Sequence, residues 1–372
     1  MTYAKINDLI LHNHAIAGEL ETALKRVLAS GWYALGPEVE SFEKSFAAYC
    51  GAHYCRGLAN GTDAIEIALK ALGVDKGSEV ITVANAGMYS GTAIYAIGAI
   101  PVYADIDLAS FTISAAHAES LITSKTRAII ATHLYGRICD MPALRKVADK
   151  HNIPLLEDCA QAHGAELQGK RVGAWGDAAA FSFYPTKNLG ALGDGGAIVT
   201  SSKDTHEKIS RLRQYGWESK YKVVDGGGRN SRLDEIQAAL LNVKLKHLDT
   251  WTATRQRLGT YYGEHIKNSN VIVPENVGKQ HVYHLYVLRS PKRDGLKDFL
   301  TSKGIAVDIH YPFLDYQQPL FRNEQFAGQA IAKTHLPVSE QATREILTIP
   351  CYPELNKQDA AYVVTAINEW KA

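Results

Sequence analysis

Short apolar runs alternate with amphipathic stretches of helical period through the first two thirds of the chain. The apolar runs predict strands at residues 53–58, 80–83, 101–106, 128–134, 154–158, 178–183 and 197–200. The helical pattern predicts helices at residues 16–30, 37–50, 90–97, 142–151, 204–215 and 233–248, with residues 216–230 as a polar, glycine-rich loop. This alternation is typical of an α/β fold with a mostly parallel central sheet flanked by helices, whose ligands bind at the carboxyl ends of the strands.

The pattern changes after about Trp251. Residues 282–288 (VYHLYVL) alternate like a strand, 295–303 have helical periodicity, and 306–310 again alternate like a strand. We therefore predict two domains. Residues 1–250 contain an N-terminal segment and the large domain, and residues 251–372 form a smaller C-terminal α+β domain.

Composition excludes several classes of protein. The 372 residues are 46% hydrophobic and 21% charged, with a net charge of +1, which argues against a nucleic-acid or membrane-surface partner. No apolar run reaches the ~20 residues of a membrane span, and the N-terminus does not have the pattern of a secretory signal. Five scattered cysteines without a C-x-x-C motif indicate a reducing, cytoplasmic location.

The strongest candidate for chemistry is Lys187, in the run FSFYPTKNLGALGDGG from Phe181 to Gly196. It follows a predicted buried strand and lies among glycines, so we expect it at the floor of a cleft. Burial favours the neutral amine, which can form a Schiff base with a carbonyl. On its own, however, a lysine in a glycine-rich loop is more often an ordinary loop residue.

Two carboxylates at the end of an earlier predicted strand change that assessment. Glu157 and Asp158 end the run PLLEDC, where an unpaired buried charge would be costly. A pyridoxal phosphate enzyme needs a lysine for the cofactor aldehyde and an acid facing the pyridine nitrogen. By strand alternation, we predict that Asp158 is that acid and that Glu157 points to the opposite face.

A phosphate cradle is predicted at Asn60-Gly61-Thr62-Asp63, between a strand and a helix. Gly61 allows an anion to approach the backbone, and Thr62 or Asp63 can cap a helix whose amides attract phosphate. Such turns are common, so this signal is weak by itself. We predict no metal site, because His281 and His284 have no cysteine or carboxylate at a matching spacing.

Four segments together resemble the DegT/DnrJ/EryC1/StrS family of sugar-nucleotide aminotransferases, which have the pyridoxal phosphate-dependent fold type I. The segments are Gly61-Thr62-Asp63, EDCAQAHG from Glu157, FSFYPTKNLG, and GRNSRLDEIQ from Gly228. The resemblance implies that Lys187 binds the cofactor covalently, Asp158 contacts the ring nitrogen and Gln161 lies near the ring hydroxyl. It also implies that Gly61, Thr62 and Ser182 hold the phosphate, while Arg229 and Asn230 come from the partner subunit of a homodimer.

Four residues are predicted substrate contacts: Tyr33, Tyr184, His310 and Tyr311. For Tyr33, His310 and Tyr311 the prediction comes from the resemblance, and ordinary packing is the alternative. At position 87 many relatives have an aromatic residue that stacks on the cofactor, whereas this chain has glycine. Tyr89 is the expected substitute, and packing in the core is its alternative.

By resemblance, the expected reaction transfers an amino group from L-glutamate, released as 2-oxoglutarate, to C3 of a dTDP-3-keto-6-deoxyhexose. Lys187 favours transamination, since related 3-dehydratases have histidine there. Two alternatives remain open: an aminotransferase acting on a C4 ketone, a cyclitol or an aminobenzoate precursor, and a non-catalytic protein that binds the cofactor.

Overall fold

The structure is a computed structural model that describes residues 4–322 and 335–372. Its α-helices are α1 (Leu9–His14), α2 (Ala17–Ser30), α3 (Pro37–Cys50), α4 (Gly61–Ala71), α5 (Tyr89–Ala96), α6 (Ala115–Ser120), α7 (Met141–His151), α8 (Lys203–Leu212), α9 (Glu235–Leu245), α10 (Leu248–His265), α11 (Arg293–Ser302), α12 (Pro337–Glu345) and α13 (Lys357–Glu369). Its β-strands are β1 (Tyr54–Leu58), β2 (Glu79–Val83), β3 (Ile100–Ala104), β4 (Thr126–Thr132), β5 (Leu155–Asp158), β6 (Glu166–Leu167), β7 (Lys170–Arg171), β8 (Ala178–Ser182), β9 (Gly196–Thr200), β10 (Trp217–Ser219), β11 (Lys222–Val223), β12 (Tyr286–Arg289) and β13 (Ile346–Ile349).

A seven-stranded sheet forms the centre of the molecule. Its strand order is β1-β9-β8-β5-β4-β2-β3, and only β9 runs antiparallel to its neighbours. Every residue of β5, β8 and β9 is buried, which explains why these strands are continuous apolar runs in the sequence. The predicted α/β class with a mostly parallel sheet is confirmed. The parallel β4, β5 and β8 all end at one edge, where β5 stops at Asp158.

Glycine and proline in the sequence correctly predicted where α2 ends and where α3 begins and ends. Helix α2 ends before Gly31, and α3 begins at Pro37 and ends before Gly51, with both glycines in the left-handed conformation. Such glycines satisfy the last helix carbonyls without steric cost. Among the described residues, no helix has the length and apolar content that crossing a membrane requires.

Three predicted segments differ from the structure. Of the predicted strand 282–288, only residues 286–288 are strand, as part of β12. The predicted loop 216–230 contains the small antiparallel hairpin of β10 and β11, whose strands of three and two residues are too short to show an alternating pattern in the sequence. The predicted strand 306–310 is wrong, because the segment makes only a single bridge, between Asp308 and Thr348 of β13. The other side of β13 pairs along its whole length with β12.

A second, smaller core lies in the C-terminal part of the chain. It is centred on Tyr262, Tyr286 and Leu300, and it includes Ala4 from the N-terminus. Helix α10 begins at Leu248 and runs through the predicted boundary at residue 250. The division into residues 1–250 and 251–372 therefore stays a prediction.

Candidate active site

Lys187 lies in the loop between β8 and β9, within a tight turn. Its backbone amide donates to the carbonyl oxygen of Tyr184 over 2.8 Å. Gly190 passes so close to Pro185 that a Cβ at position 190 would be 2.3 Å from the proline carbonyl oxygen. The Lys187 residue is only partly exposed, and burial lowers the pKa of its amine to about 8, although the charge of Asp158 opposes this shift. The lysine can therefore act as an amine near neutral pH.

Asp158 is the last residue of β5, and its side chain faces the same cavity as Lys187. One carboxylate oxygen accepts from the backbone amide of Ala160 at 3.1 Å, and the other is 3.4 Å from the Thr132 hydroxyl. Burial raises the pKa of Asp158, while the Ala160 amide and the charge of Lys187 act in the opposite direction. A buried carboxylate with so few donors is well suited to an additional cationic partner.

Glu157 does not line this cavity. Its carboxylate accepts from the backbone amides of Gly173 (3.0 Å), Trp175 (2.8 Å) and Gly176 (2.7 Å), and lies 3.0 Å from Nε2 of His133. Glu157 therefore binds the backbone of the loop before β8. It was predicted to point to the face of β5 opposite Asp158, and these contacts agree with that prediction.

The predicted cradle forms the N-terminus of α4. The cap is Asn60, whose side-chain oxygen accepts from the Asp63 amide at 2.8 Å. The prediction of Thr62 or Asp63 as the cap is therefore wrong, although the capping chemistry is the same. Gly61 packs directly on Ser182, since a Cβ at residue 61 would be 2.6 Å from the serine Cβ. This close approach brings the helix N-terminus and the end of β8 together around one potential anion site.

A single cavity of about 910 Å³ joins these parts, near the upper end of the usual range for ligand pockets. Ten of the thirteen predicted cofactor and substrate residues line it: Gly61, Thr62, Tyr89, Asp158, Gln161, Ser182, Tyr184, Lys187, His310 and Tyr311.

Tyr33 and Asn230 do not line the cavity of their own chain. Tyr33 is 51% exposed, and its carbonyl oxygen accepts from the Glu235 amide at 3.1 Å. Asn230 is exposed, with its side-chain oxygen 2.6 Å from Nε of Arg232. Arg229 pairs within its own chain, with Asp63 at 2.8 Å and Glu66 at 2.7 Å.

The side chain of Gln161 bonds to two distant segments of the chain, at Tyr135 and at Tyr311. Its side-chain oxygen accepts from the Tyr135 amide at 2.7 Å, which fixes the orientation of the side chain. The Nε2 atom therefore donates toward the hydroxyl of Tyr311 at 3.0 Å. Tyr311 in turn meets the half-exposed ring of Tyr89 edge-on, with centroids 6.0 Å apart.

The lining residues that were not predicted to belong to the site include His284 and the N-terminal residues Ile6 and Asn7. The Nδ1 atom of His284 is 3.2 Å from the side-chain oxygen of Asn188, whose amide nitrogen donates to the Val282 carbonyl at 3.3 Å. Burial lowers the pKa of His284 well below its usual range. The only signal for His284 was a polar residue within an apolar strand pattern.

The residues fit pyridoxal phosphate better than a metal ion. Among the described residues, one cluster has metal-binding side chains: His133, Glu157 and Cys159, all fully buried, of which only His133 borders the cavity. Two of its three side chains already have partners, because Nδ1 of His133 accepts from the Cys139 amide at 3.1 Å and Nε2 is 3.0 Å from the Glu157 carboxylate. Burial raises the pKa of the Cys159 thiol, so the thiolate that a metal needs is disfavoured.

A lysine amine, an opposed buried carboxylate and an anion cradle at the end of a mostly parallel sheet define a pyridoxal phosphate-dependent aminotransferase of fold type I. The profile of the DegT/DnrJ/EryC1/StrS aminotransferase family matches residues 14–368. The chain belongs to this family.

Individual relatives match over nearly their whole length. The chain is 44% identical to the dTDP-3-amino-3,6-dideoxy-alpha-D-galactopyranose transaminase of Aneurinibacillus thermoaerophilus, covering 98% of both chains. The structure of Streptomyces venezuelae DesV in complex with a ketimine intermediate is similar, with a TM-score of 0.94, 40% identity, and coverage of 100% of this chain and 99% of that one. The structure of Bacillus subtilis NtdA with bound cofactor PMP has a TM-score of 0.91 at 28% identity, covering 99% and 85%.

Proposed function

We propose that the enzyme transfers the amino group of L-glutamate to C3 of a dTDP-3-keto-6-deoxyhexose, releasing 2-oxoglutarate. The observation that carries the chemistry is the shared cavity of Lys187 and Asp158. The choice of sugar is supported by a relative at 44% identity that is a dTDP-3-amino sugar transaminase.

The cofactor, when bound, supplies an aldehyde and a heterocycle that takes up electrons from the breaking Cα–H bond. The protein supplies positioning and proton transfer. Lys187, with a pKa of about 8, can hold the cofactor and then carry a proton as a free amine. Asp158 would keep the ring nitrogen protonated. Gly61, Thr62 and Ser182 would hold the phosphate, with the positive end of the α4 dipole directed at it.

The substrate side of the cavity is lined by Tyr184 and His310. Tyr184 is 53% exposed at the mouth, so its hydroxyl can reach a polar ligand. His310 is oriented by the Thr348 hydroxyl, 2.9 Å from Nδ1, and burial lowers its pKa. A neutral imidazole and a phenol are suitable hydrogen-bonding partners for a sugar diphosphate.

The substrate assignment is tested by giving the purified enzyme L-glutamate with dTDP-3-keto-6-deoxyhexose or dTDP-4-keto-6-deoxyhexose in parallel. We expect the 3-amino sugar and 2-oxoglutarate, detected by mass spectrometry and NMR. An amino product from only the 4-keto sugar, or only from a cyclitol ketone, would overturn the assignment. A visible cofactor spectrum that glutamate does not change would instead indicate a non-catalytic binding protein.

We further propose a cytoplasmic homodimer with shared active sites. All five cysteines are free and buried, as expected in a reducing compartment. A groove lined by Leu20, Leu24, Leu192, Ile236 and Leu240 lies open on the surface, and Leu192 is 48% exposed. A second copy of the chain is the partner that we propose for this groove, placing Tyr33 and Asn230 near the other subunit's cavity.

Complementation between two variants tests the shared site. Asn230→Ala should weaken cofactor retention, and Lys187→Ala should be inactive. If Asn230 acts across the interface, hybrids contain one intact site, so an equal mixture should recover about a quarter of the wild-type activity. Activity is measured at a cofactor concentration too low for Asn230→Ala alone, with two affinity tags to demonstrate subunit exchange. Exchange without recovered activity would contradict a shared site.

A further inference from the structure

Residue 87 is a glycine and has no side chain that could cover the cofactor. The ring of Tyr311 lies next to it instead. Gly87 has a positive φ of +73°, which disfavours other residues. A Cβ at this position would lie 3.0 Å from both Cδ1 and Cε1 of the Tyr311 ring. The tyrosine therefore lies against the glycine backbone, where an aromatic side chain from residue 87 would start.

Tyr311 lines the cavity, and a hydrogen bond holds its side chain there. Its hydroxyl is 3.0 Å from Nε2 of Gln161, the residue expected at the cofactor's ring hydroxyl. The preceding residue is fixed from the other side, because the Tyr135 hydroxyl donates to the His310 carbonyl oxygen. Tyr311 also lies near enough to Asp158 for the carboxylate to help raise its pKa, an effect smaller than that of burial.

Tyr89 is less well placed for the same role. Its ring is 50% exposed and meets Tyr311 edge-on, with an angle of 76° between the ring planes. An aromatic ring that covers the pyridine must be buried against it to gain from stacking.

We propose that Tyr311 supplies the aromatic face that covers the pyridine ring of the cofactor, in place of a side chain at residue 87. This role differs from the substrate contact expected from the sequence, and it makes Tyr89 a rim residue. Tyr311 follows the segment that Asp308 bridges to β13. The cofactor would therefore be enclosed between the end of the central sheet and the C-terminal part of the chain.

The inference rests on cofactor binding and not on the identity of the sugar, so it is tested without sugar. The measurement is the dissociation constant of pyridoxamine phosphate, which forms no bond to Lys187. Tyr311→Leu keeps bulk but loses the ring, and stacking energies predict a dissociation constant about 2- to 12-fold higher. Tyr311→Phe keeps the ring and loses only the hydroxyl that contacts Gln161, so its dissociation constant should rise by less than that of Tyr311→Leu.

Tyr89→Leu is the matched control, and its dissociation constant should change by less than about twofold because an exposed ring contributes little stacking. Circular dichroism of each cofactor-free variant shows whether it is folded. A larger effect from Tyr89→Leu than from Tyr311→Leu would overturn the proposal, as would equal losses from Tyr311→Phe and Tyr311→Leu. Failure of the dTDP-sugar assay would leave these dissociation constants unaffected.

Discussion

Replacing Lys187 with alanine should abolish transamination while leaving the protein folded. The variant lacks the amine that we propose bonds to the cofactor and moves the proton, so we expect kcat to fall by at least about 10³-fold. The visible absorbance band of the lysine-bound cofactor should also disappear. Folding should not suffer, because burial disfavours the lysine's charge and lowers its pKa to about 8. Thermal unfolding of the cofactor-free protein measures this second point.

Lys244 offers a matched control for that experiment. Burial lowers its pKa to about 8 as well, but its Nζ donates to the Gly190 carbonyl oxygen at 2.8 Å and it does not line the cavity. Lys244→Met should cost about 1–3 kcal/mol of stability through the unsatisfied carbonyl and still show the band. Borohydride reduction followed by peptide mass spectrometry should find the cofactor on Lys187. A band that persists in Lys187→Ala, or a label on Lys244, would contradict the assignment.

The sequence was most informative where local pattern and burial coincide. Strands β5 and β8 are buried along their whole length, so their apolar runs were unambiguous, and their ends marked Asp158 and Lys187. Because parallel strands end at one edge of a sheet, two distant segments could be expected to meet. Motif resemblance then added Gln161, whose position depends on the turn after β5.

The features that escaped prediction depend on contacts between distant segments. Ile6 and Asn7 reach the cavity because the N-terminus joins the C-terminal core through Ala4, which bridges to Ile305. The sequence of the first seven residues does not show that they approach the cavity. Likewise, Tyr311 lies beside Gly87 although more than two hundred residues separate them in the sequence. The sequence alone showed only that residue 87 lacks an aromatic side chain. It could not show that the Tyr311 ring lies against the glycine.

Asp158→Asn should reduce kcat by about 10²- to 5 × 10³-fold, since removing one member of a buried charge pair, here the proposed pair with the cofactor's ring nitrogen, costs about 3–5 kcal/mol. Cofactor-free protein should nevertheless be as stable as the wild type, or more so. Burial raises the pKa of Asp158 in the folded state. A carboxyl group with a raised folded pKa stabilises the fold only while protonated, and that contribution is lost as pH rises through the folded pKa. At neutral pH the neutral amide removes this cost.

The adjacent Glu157 is the matched control, because Glu157→Gln should lower stability more than it lowers kcat. Its carboxylate accepts from three backbone amides and faces His133, so the amide variant must turn an NH₂ group toward at least one donor. We expect a loss of about 1–3 kcal/mol in stability with a smaller change in kcat than Asp158→Asn causes. Urea unfolding without cofactor and steady-state kinetics with saturating cofactor separate the two effects. If Asp158→Asn lost mainly stability and Glu157→Gln mainly turnover, the two faces of β5 would have been assigned the wrong way round.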